Sequence, residues 1–577
     1  MQLRHFIIVF TSLLFSNIVA AQSFVGAGKA VDPYHFSSNK TQTFSNGAVV
    51  CAHPIAAKVG AEILKRGGNA IDAVIATQLA LAVVYPGAGN IGGGGFLVAR
   101  LKDGKTFTYD YRETAPAKAT RDMYLDEKGT AQTNLSQFGH LAAGVPGTVS
   151  GLFASLKYSK LPFKTLIQPA IDLAEKGFSL TEAEASKFTR ARESFLKYNT
   201  VTPVFVKESG WKKGDTLIQK ELANTLKRIR DKGAAGFYEG ETARLIVAEM
   251  QRGKGLITLN DLKNYKTKER KPLAFNYKGH TIVSMPPPSS GGVLLMQMLK
   301  MVENRPLASY GFETVKSVQL MTEAERRAYA DRAAHLGDPD FWKVPLGTIT
   351  SNAYLAKRMA DYDSTKASKS VEIKGGPLSE STETTHISVA DKWGNLVAVT
   401  TTLNGNFGSK TVVAGAGFIL NNEMDDFSIK PGVPNMYGAI GGEANAIAPG
   451  KRMLSSMAPT IVLKGSKPFM VVGTPGGTTI PTSVYQTIVN VVDFNMNAEE
   501  AVNKPKFHHQ WLPDEIQVEE GFPKNVMQEL QEMGYAVKVY YVAGYATSIG
   551  RVELIKINNG KLEAAADKRG DDSAEGY

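Results

Sequence analysis

Several polar clusters in the second half of the chain carry the residue types that acyl chemistry needs. Thr384 opens the alternating stretch 384–390 straight after a polar run, Leu378-Ser379-Glu380-Ser381-Thr382-Glu383. Thr402 and Asn404 end the next apolar run, and Asn421-Asn422-Glu423-Met424-Asp425-Asp426 gathers amides and carboxylates. Ser455-Ser456 precedes one predicted strand, and Gly473-Thr474-Pro475-Gly476-Gly477 ends another. If the bond between Glu383 and Thr384 is cut, Thr384 carries both a hydroxyl and a free α-amino group of ordinary pKa about 7.7–8.0. One residue then supplies nucleophile and base. This accounts for the abrupt start of the strand, because the new amine must stand at the rim of a sheet. Taken singly, each feature has a plainer explanation: threonine is a common β-branched edge residue, and amides, serines and glycines build turns and caps. Their concentration between 384 and 477 is what points to a site.

Other candidates fare less well. His508 and His509 are adjacent, and neighbours on a strand face opposite ways, so they do not share an ion. His386 lacks the spacing that would fix it as a base for Thr384. All three read as structural, and no metal or other cofactor is expected. A serine hydrolase using Ser455 or Ser456 with His508 or His509 lacks the G-x-S-x-G elbow and leaves 383–426 unexplained. The run Gly92-Gly93-Gly94-Gly95 has no following Lys-Ser/Thr and leads into a strand, so close backbone packing near a site is the better reading than a phosphate loop.

The elements that must position these residues follow from periodicity. The patterns predict a strand at 47–50, helices at 54–65 and 69–85, and a strand at 96–101. A mostly helical stretch spans 149–301, interrupted by Pro286-Pro287-Pro288-Ser289-Ser290-Gly291-Gly292. Residues 365–383 read as an exposed connector. Beyond it come strands at 386–390, 396–402, 417–421, 459–464 and 469–473, helices at 482–492 and 524–533, and strands at 536–541 and 548–557. Strands without regular βαβ alternation imply an α+β fold of antiparallel sheets with helices layered outside.

With 577 residues, 43% hydrophobic and 21% charged, the chain is ordinary globular material. Residues 1–21 have a basic start at Arg4 and His5, an apolar run from Phe6 to Val19 and small residues before a cut after Ala21, as in a secretory signal peptide. A membrane anchor is the alternative, but Thr11, Ser12, Ser16 and Asn17 interrupt a run already short of the roughly 20 apolar residues a span needs. The mature protein is expected to be periplasmic or secreted, with no stable membrane span. The net charge of +11, one less once Arg4 leaves, is spread along the chain without interleaved aromatics, so no nucleic-acid partner is expected. The single cysteine, Cys51, reads as a small buried apolar residue.

Long strings of this sequence resemble the γ-glutamyltransferases: GGNAIDAVIA, GNIGGGGF and DYRETAP in the first half, then Thr384-Thr385-His386, Thr402-Leu403-Asn404, NNEMDDFSIKPGVPNMYG, KRMLSSMAPT, GTPGG and FHHQWLPDE. The resemblance implies an N-terminal-nucleophile (Ntn) hydrolase with a four-layer αββα sandwich of two antiparallel sheets. It also implies one precursor that cuts itself between Glu383 and Thr384 into a large subunit, 22–383, and a small one, 384–577, which stay together. Thr384 is then the nucleophile, Thr402 orients it, and the backbone N–H groups of Gly476 and Gly477 form the oxyanion hole. Arg112, with Ser455 and Ser456, takes the α-carboxylate of the donor, while Asn404, Glu423 and Asp426 take its ammonium. Glu423 stands where some relatives have Gln, and either accepts a hydrogen bond from an ammonium. Residues 431–442 match a lid loop present in some members, with Tyr437 as its closing residue. Glutathione and other γ-glutamyl compounds are the implied donors, with water, amino acids or peptides as acceptors. A same-fold acylase preferring another acyl group, such as a β-lactam side chain, is the nearest rival. A non-catalytic periplasmic binding protein is the rival from another class.

Overall fold

The computed structural model describes residues 31–373, 384–430, 432–433, 435–436, 441–542 and 545–577. The signal segment, the second half of the predicted connector with Glu383, and Tyr437 lie outside the described residues.

Side-chain alternation creates the layers. Along Gly47–Cys51, Ala48 and Val50 join a core shared by two sheets, while Val49 and Cys51 face helices on the other side. Among the described residues these sheets have seven strands each, antiparallel throughout. One runs from edge to edge through Thr41–Phe44, Lys561–Ala566, Glu553–Asn558, Lys467–Gly473, Thr460–Lys464, His280–Ser284 and Leu273–Tyr277. The other runs through Ser573–Gly576, Gly47–Cys51, Thr385–Asp391, Leu396–Thr402, Gly94–Arg100, Thr106–Asp110 and Lys268–Arg270. Both draw strands from either side of residue 384, so the two parts of the chain share one sandwich.

Helices close the outer faces. Pro54–Lys65 starts with proline in its first turn and His53 Nδ1 accepting from the Ile55 N–H at 3.2 Å. Ala70–Val84 starts with an Asn69/Asp72 capping box. This helix is apolar all round because all of it is buried, between the sheet and the helix Phe163–Lys176. On the other face lie Gly291–Val302, Val315–His335 and Thr479–Val492. The expected α+β sandwich of two antiparallel sheets is therefore observed, and among the described residues no helix is long and apolar enough to cross a membrane.

Three segments differ from the sequence expectation. Residues 268–284, inside the stretch read as helical, form three strands. Lys278 and Gly279 have φ of 42° and 78°, and Tyr277 pairs with His280, so the pair is a two-residue hairpin turn of the kind that matches strand twist. Residues 417–421 are not a regular strand: Ile419 makes one isolated bridge to Val412, and the Asn421 N–H donates to Gly92 O, since these backbone groups are used to pin loops. The connector is packed as far as 373, where Trp511 Nε1 donates to the carbonyls of Ser370 and Ile373, both at 2.8 Å.

The glycine run behaves as expected. A Cβ on Gly92 would strike the Ile419 carbonyl, and one on Gly93 the carbonyl of Thr402. Gly93→Ala is expected to overpack this crossing by about 1–3 kcal/mol. A lowered thermal midpoint checks this, and an unchanged midpoint contradicts it.

Candidate active site

Thr384 immediately precedes a strand hydrogen-bonded on both edges, to Gly47–Cys51 and to Leu396–Thr402, with Thr385 opposite Thr401. It is 5% exposed and lines a small cavity of about 30 Å³. The same cavity is lined by Thr402, Asn404, Arg112, Asp426, Ser455, Ser456 and Gly477, residues far apart in sequence. Thr402 Oγ1 accepts from the Asn404 N–H at 2.7 Å, and Asn404 takes the left-handed conformation, φ 72°, to make that turn. Its Nδ2 donates to Asn422 O at 3.0 Å, tying this turn to the acidic segment.

Arg112 is the centre of the charge arrangement. Its guanidinium is 1% exposed, with Nη1 2.5 Å from Glu423 and 3.8 Å from Glu113, and Nη2 donating to Asp426. Three carboxyl groups thus face one cation. Burial opposes ionisation of all three, and Arg112 pulls the other way. Burial raises Glu113 to about 8, and burial with like-charge crowding holds Glu423 well above the ordinary carboxylate range. Neither Glu113 oxygen has a hydrogen-bond partner. The cluster is therefore internally neutralised, with the predicted carboxylate anchor paired to two of the predicted ammonium acceptors. A ligand bearing both charges on one carbon can exchange for that pairing.

The serine pair sits on a support that sequence reasoning took for a plain turn. The Ser290 N–H and hydroxyl donate to Ser455 O at 2.7 and 2.8 Å. Arg332, also missed, donates through Nε to Ser290 Oγ at 3.1 Å and through Nη2 to Ser456 Oγ at 3.2 Å, and it lines the cavity. Its only sequence signal is one arginine in a helix crowded with charges, among them Glu323, Glu325, Arg326, Arg327 and Asp331, indistinguishable there from a solvated one. Asn435, another addition, donates to Asp426 Oδ1 at 3.2 Å.

Gly476 and Gly477 have φ of 143° and 56°, in a turn that a side chain would strain. The turn is held by Thr479, whose N–H and hydroxyl both donate to Gly476 O at 3.0 and 2.7 Å. It leads directly into Thr479–Val492, a helix whose N-terminal dipole favours negative charge nearby.

The histidines are structural. His386 bonds Thr400 Oγ1 at 2.8 Å and Ser388 Oγ at 3.1 Å, and burial lowers its pKa to about 3, so it stays neutral. His508 bonds Thr482 and Gln510, and His509 accepts from the Trp511 N–H, so neither is directed at Ser455 or Ser456. Cys51 is buried, and its thiol is pushed well up by desolvation.

Comparison with known proteins places the chain among relatives of one family. The family model described as gamma-glutamyltranspeptidase matches residues 56–577. A glutathione hydrolase proenzyme of Escherichia coli K12 is 48% identical over 538 residues, 92% of each chain. Among solved structures, a gamma-glutamyltranspeptidase of Helicobacter pylori is 45% identical, with TM-score 0.55, over 56% of this chain and 94% of its own. A cephalosporin acylase of Bacillus halodurans is 27% identical, with TM-score 0.82, over 94% and 98%.

The carboxyl cluster makes a pH prediction. Between its ordinary value of 4.5 and about 8, Glu113 holds a proton in the folded protein that the unfolded chain releases. Its contribution to stability therefore falls as pH rises through that window. Glu113→Gln abolishes the titration, so the variant's thermal midpoint should gain on the parent's as pH is raised across it. A variant midpoint that falls further behind the parent's as pH rises would refute the assignment.

Proposed function

Because this chain belongs to the gamma-glutamyltranspeptidase family, we propose that it is a self-cleaving γ-glutamyltransferase and glutathione hydrolase in which Thr384 is the nucleophile. The observation carrying this reading is that the strand start at Thr384 opens on the same cavity as Arg112 and Asp426, with Glu423 paired to that arginine. In the precursor, Thr384 Oγ attacks the Glu383 carbonyl, the C–N bond breaks, and the new ester is opened by water. This leaves chains 22–383 and 384–577, held together by shared sheets.

In turnover the freed α-amine of Thr384 takes the hydroxyl proton as Oγ attacks the γ-carbonyl of the donor. The oxyanion is received by the N–H groups of Gly476 and Gly477, which fixed backbone dipoles stabilise without reorganising. The proton passes to the departing amine, and a glutamyl ester remains on Thr384. Water or the amine of an amino acid or peptide then resolves it. Thr402 orients the hydroxyl.

Recognition of the γ-glutamyl head group proceeds by exchange of ion pairs. The donor's α-carboxylate takes the planar fork of Arg112, assisted by Ser455 and Ser456. Its ammonium takes Asp426, Glu423 and the Asn404 side chain. This arrangement separates the reading from an acylase for uncharged side chains, which has no use for a buried arginine between carboxylates. Residues 1–21 direct export, to the periplasm or the medium. For Tyr437 the family resemblance suggests a part in favouring transfer over hydrolysis.

A denaturing gel of purified protein should show two unequal bands, the smaller beginning at Thr384, while Thr384→Ala stays whole. A single continuous, active chain would sink the proposal. A glutaryl anilide, which lacks only the ammonium, leaves the acidic side of the exchanged pair uncompensated, at a cost of about 3 kcal/mol or more. Its kcat/KM should fall about 100-fold or more below that of the γ-glutamyl anilide. Comparable values would contradict the exchange.

A further inference from the structure

The head-group cavity holds one charged side chain that the exchange of ion pairs leaves without a role. Arg332, in the last turn of the helix Val315–His335, is 6% exposed and lines the cavity beside Ser455 and Ser456. Its guanidinium meets two hydroxyls: Nε donates to Ser290 Oγ at 3.1 Å and Nη2 to Ser456 Oγ at 3.2 Å. A guanidinium can only donate, and a hydroxyl has one proton to give. Both serines are therefore fixed as acceptors toward Arg332, and the direction of their own protons follows.

Ser290 sends its proton to the Ser455 carbonyl at 2.8 Å, to which its N–H also donates at 2.7 Å. The two backbones are in close contact here, since a Cβ on Gly291 would lie 2.5 Å from Met457 O and 2.8 Å from Ser456 O. Ser455 Oγ in turn accepts from the Met457 N–H at 3.2 Å. Among the described residues, neither Ser455 nor Ser456 gives its hydroxyl proton to a protein group. Each hydroxyl thus accepts from the protein and keeps its proton for a ligand. Arg332 also acts on the opposite charge in the cavity: burial raises the pKa of Asp426, and Arg112 and Arg332 both work against that rise.

We propose that Arg332 is a positioning residue for the donor's α-carboxylate. By donating to Ser456, and by propping Ser455 through Ser290, it makes both hydroxyls donors that select a carboxylate over a carboxamide. The inference rests on the γ-glutamyl reading above. A carboxylate only accepts, whereas a carboxamide offers one accepting oxygen and an amino group that itself donates. Two hydroxyls fixed as donors match the first and leave one of them facing a donor in the second. Arg332 acts through the serines and takes no part in making or breaking bonds.

The test uses the purified two-chain protein and two donors, a γ-glutamyl anilide and the same anilide with its α-carboxylate converted to a carboxamide, and reads the ratio of their kcat/KM values. In the unaltered protein this ratio favours the carboxylate. Arg332→Met should lower it about tenfold, equivalent to one charge-assisted hydrogen bond. Arg332→Lys keeps the charge but loses the planar fork, and should lower it by a smaller factor. Ser456→Ala should lower the ratio as well, and adding Arg332→Met to it should cost less than in the parent, because part of the route is already gone. A general loss of structure lowers both donors alike and leaves the ratio where it was. A ratio unmoved in Arg332→Met, or an Arg332→Met effect undiminished in the Ser456→Ala background, overturns the proposal. Should the methionine variant fail to fold, the lysine variant is decisive, and an unmoved ratio there overturns it. If the unaltered protein releases no anilide from the γ-glutamyl donor, the parent reading itself fails.

Discussion

The hydrogen-bonded ladder on both edges of Thr385–Asp391 is the constraint on which the site depends. One edge is held by Gly47–Cys51 and the other by Leu396–Thr402, so the backbone at Thr384 is placed by partners and not by the residues before it. A strand clamped in this way can lose its upstream peptide bond without losing its position. The interleaving extends to both sheets, which take strands from either side of residue 384. Scission therefore changes a terminus and leaves the core intact. The glycine run contributes at the same place: Gly93 lies so close to the Thr402 carbonyl that the strand Gly94–Arg100 can approach the end of Leu396–Thr402.

Around that fixed point the electrostatics are economical. One buried arginine faces three carboxyl groups, and burial keeps Glu113, whose oxygens have no hydrogen-bond partner, protonated up to about 8. The pairing avoids an isolated buried charge, which would be far more costly than a paired one. It also makes the site selective for ligands that can replace both halves of the pairing.

Much of this was legible in the sequence because it is local. Periodicity marked the strands at 386–390 and 396–402 and the helices at 54–65 and 69–85, and the glycines at 92–95 read as close packing. The proposed nucleophile, Thr384, and its companions stood out as a density of polar types after apolar runs. What was not legible was long-range: Arg332 and Ser290 acquire meaning only when a helix and a turn are brought beneath Ser455-Ser456. The hairpin at 273–284 was hidden by the helical surroundings, although Lys278-Gly279 carried the turn signal. The pairing of Arg112 with Glu423 and Asp426 could not be foreseen either, since the roles assigned to them assumed a bound ligand.

The central claim is that Thr384 Oγ carries the acyl group. Rapid quenching of the two-chain protein during turnover of a γ-glutamyl donor, followed by mass analysis of its peptides, tests this directly. The account predicts one glutamyl group added to the peptide that begins at Thr384. A glutamyl group on Ser455 or Ser456, or on any peptide that does not begin at Thr384, would contradict it.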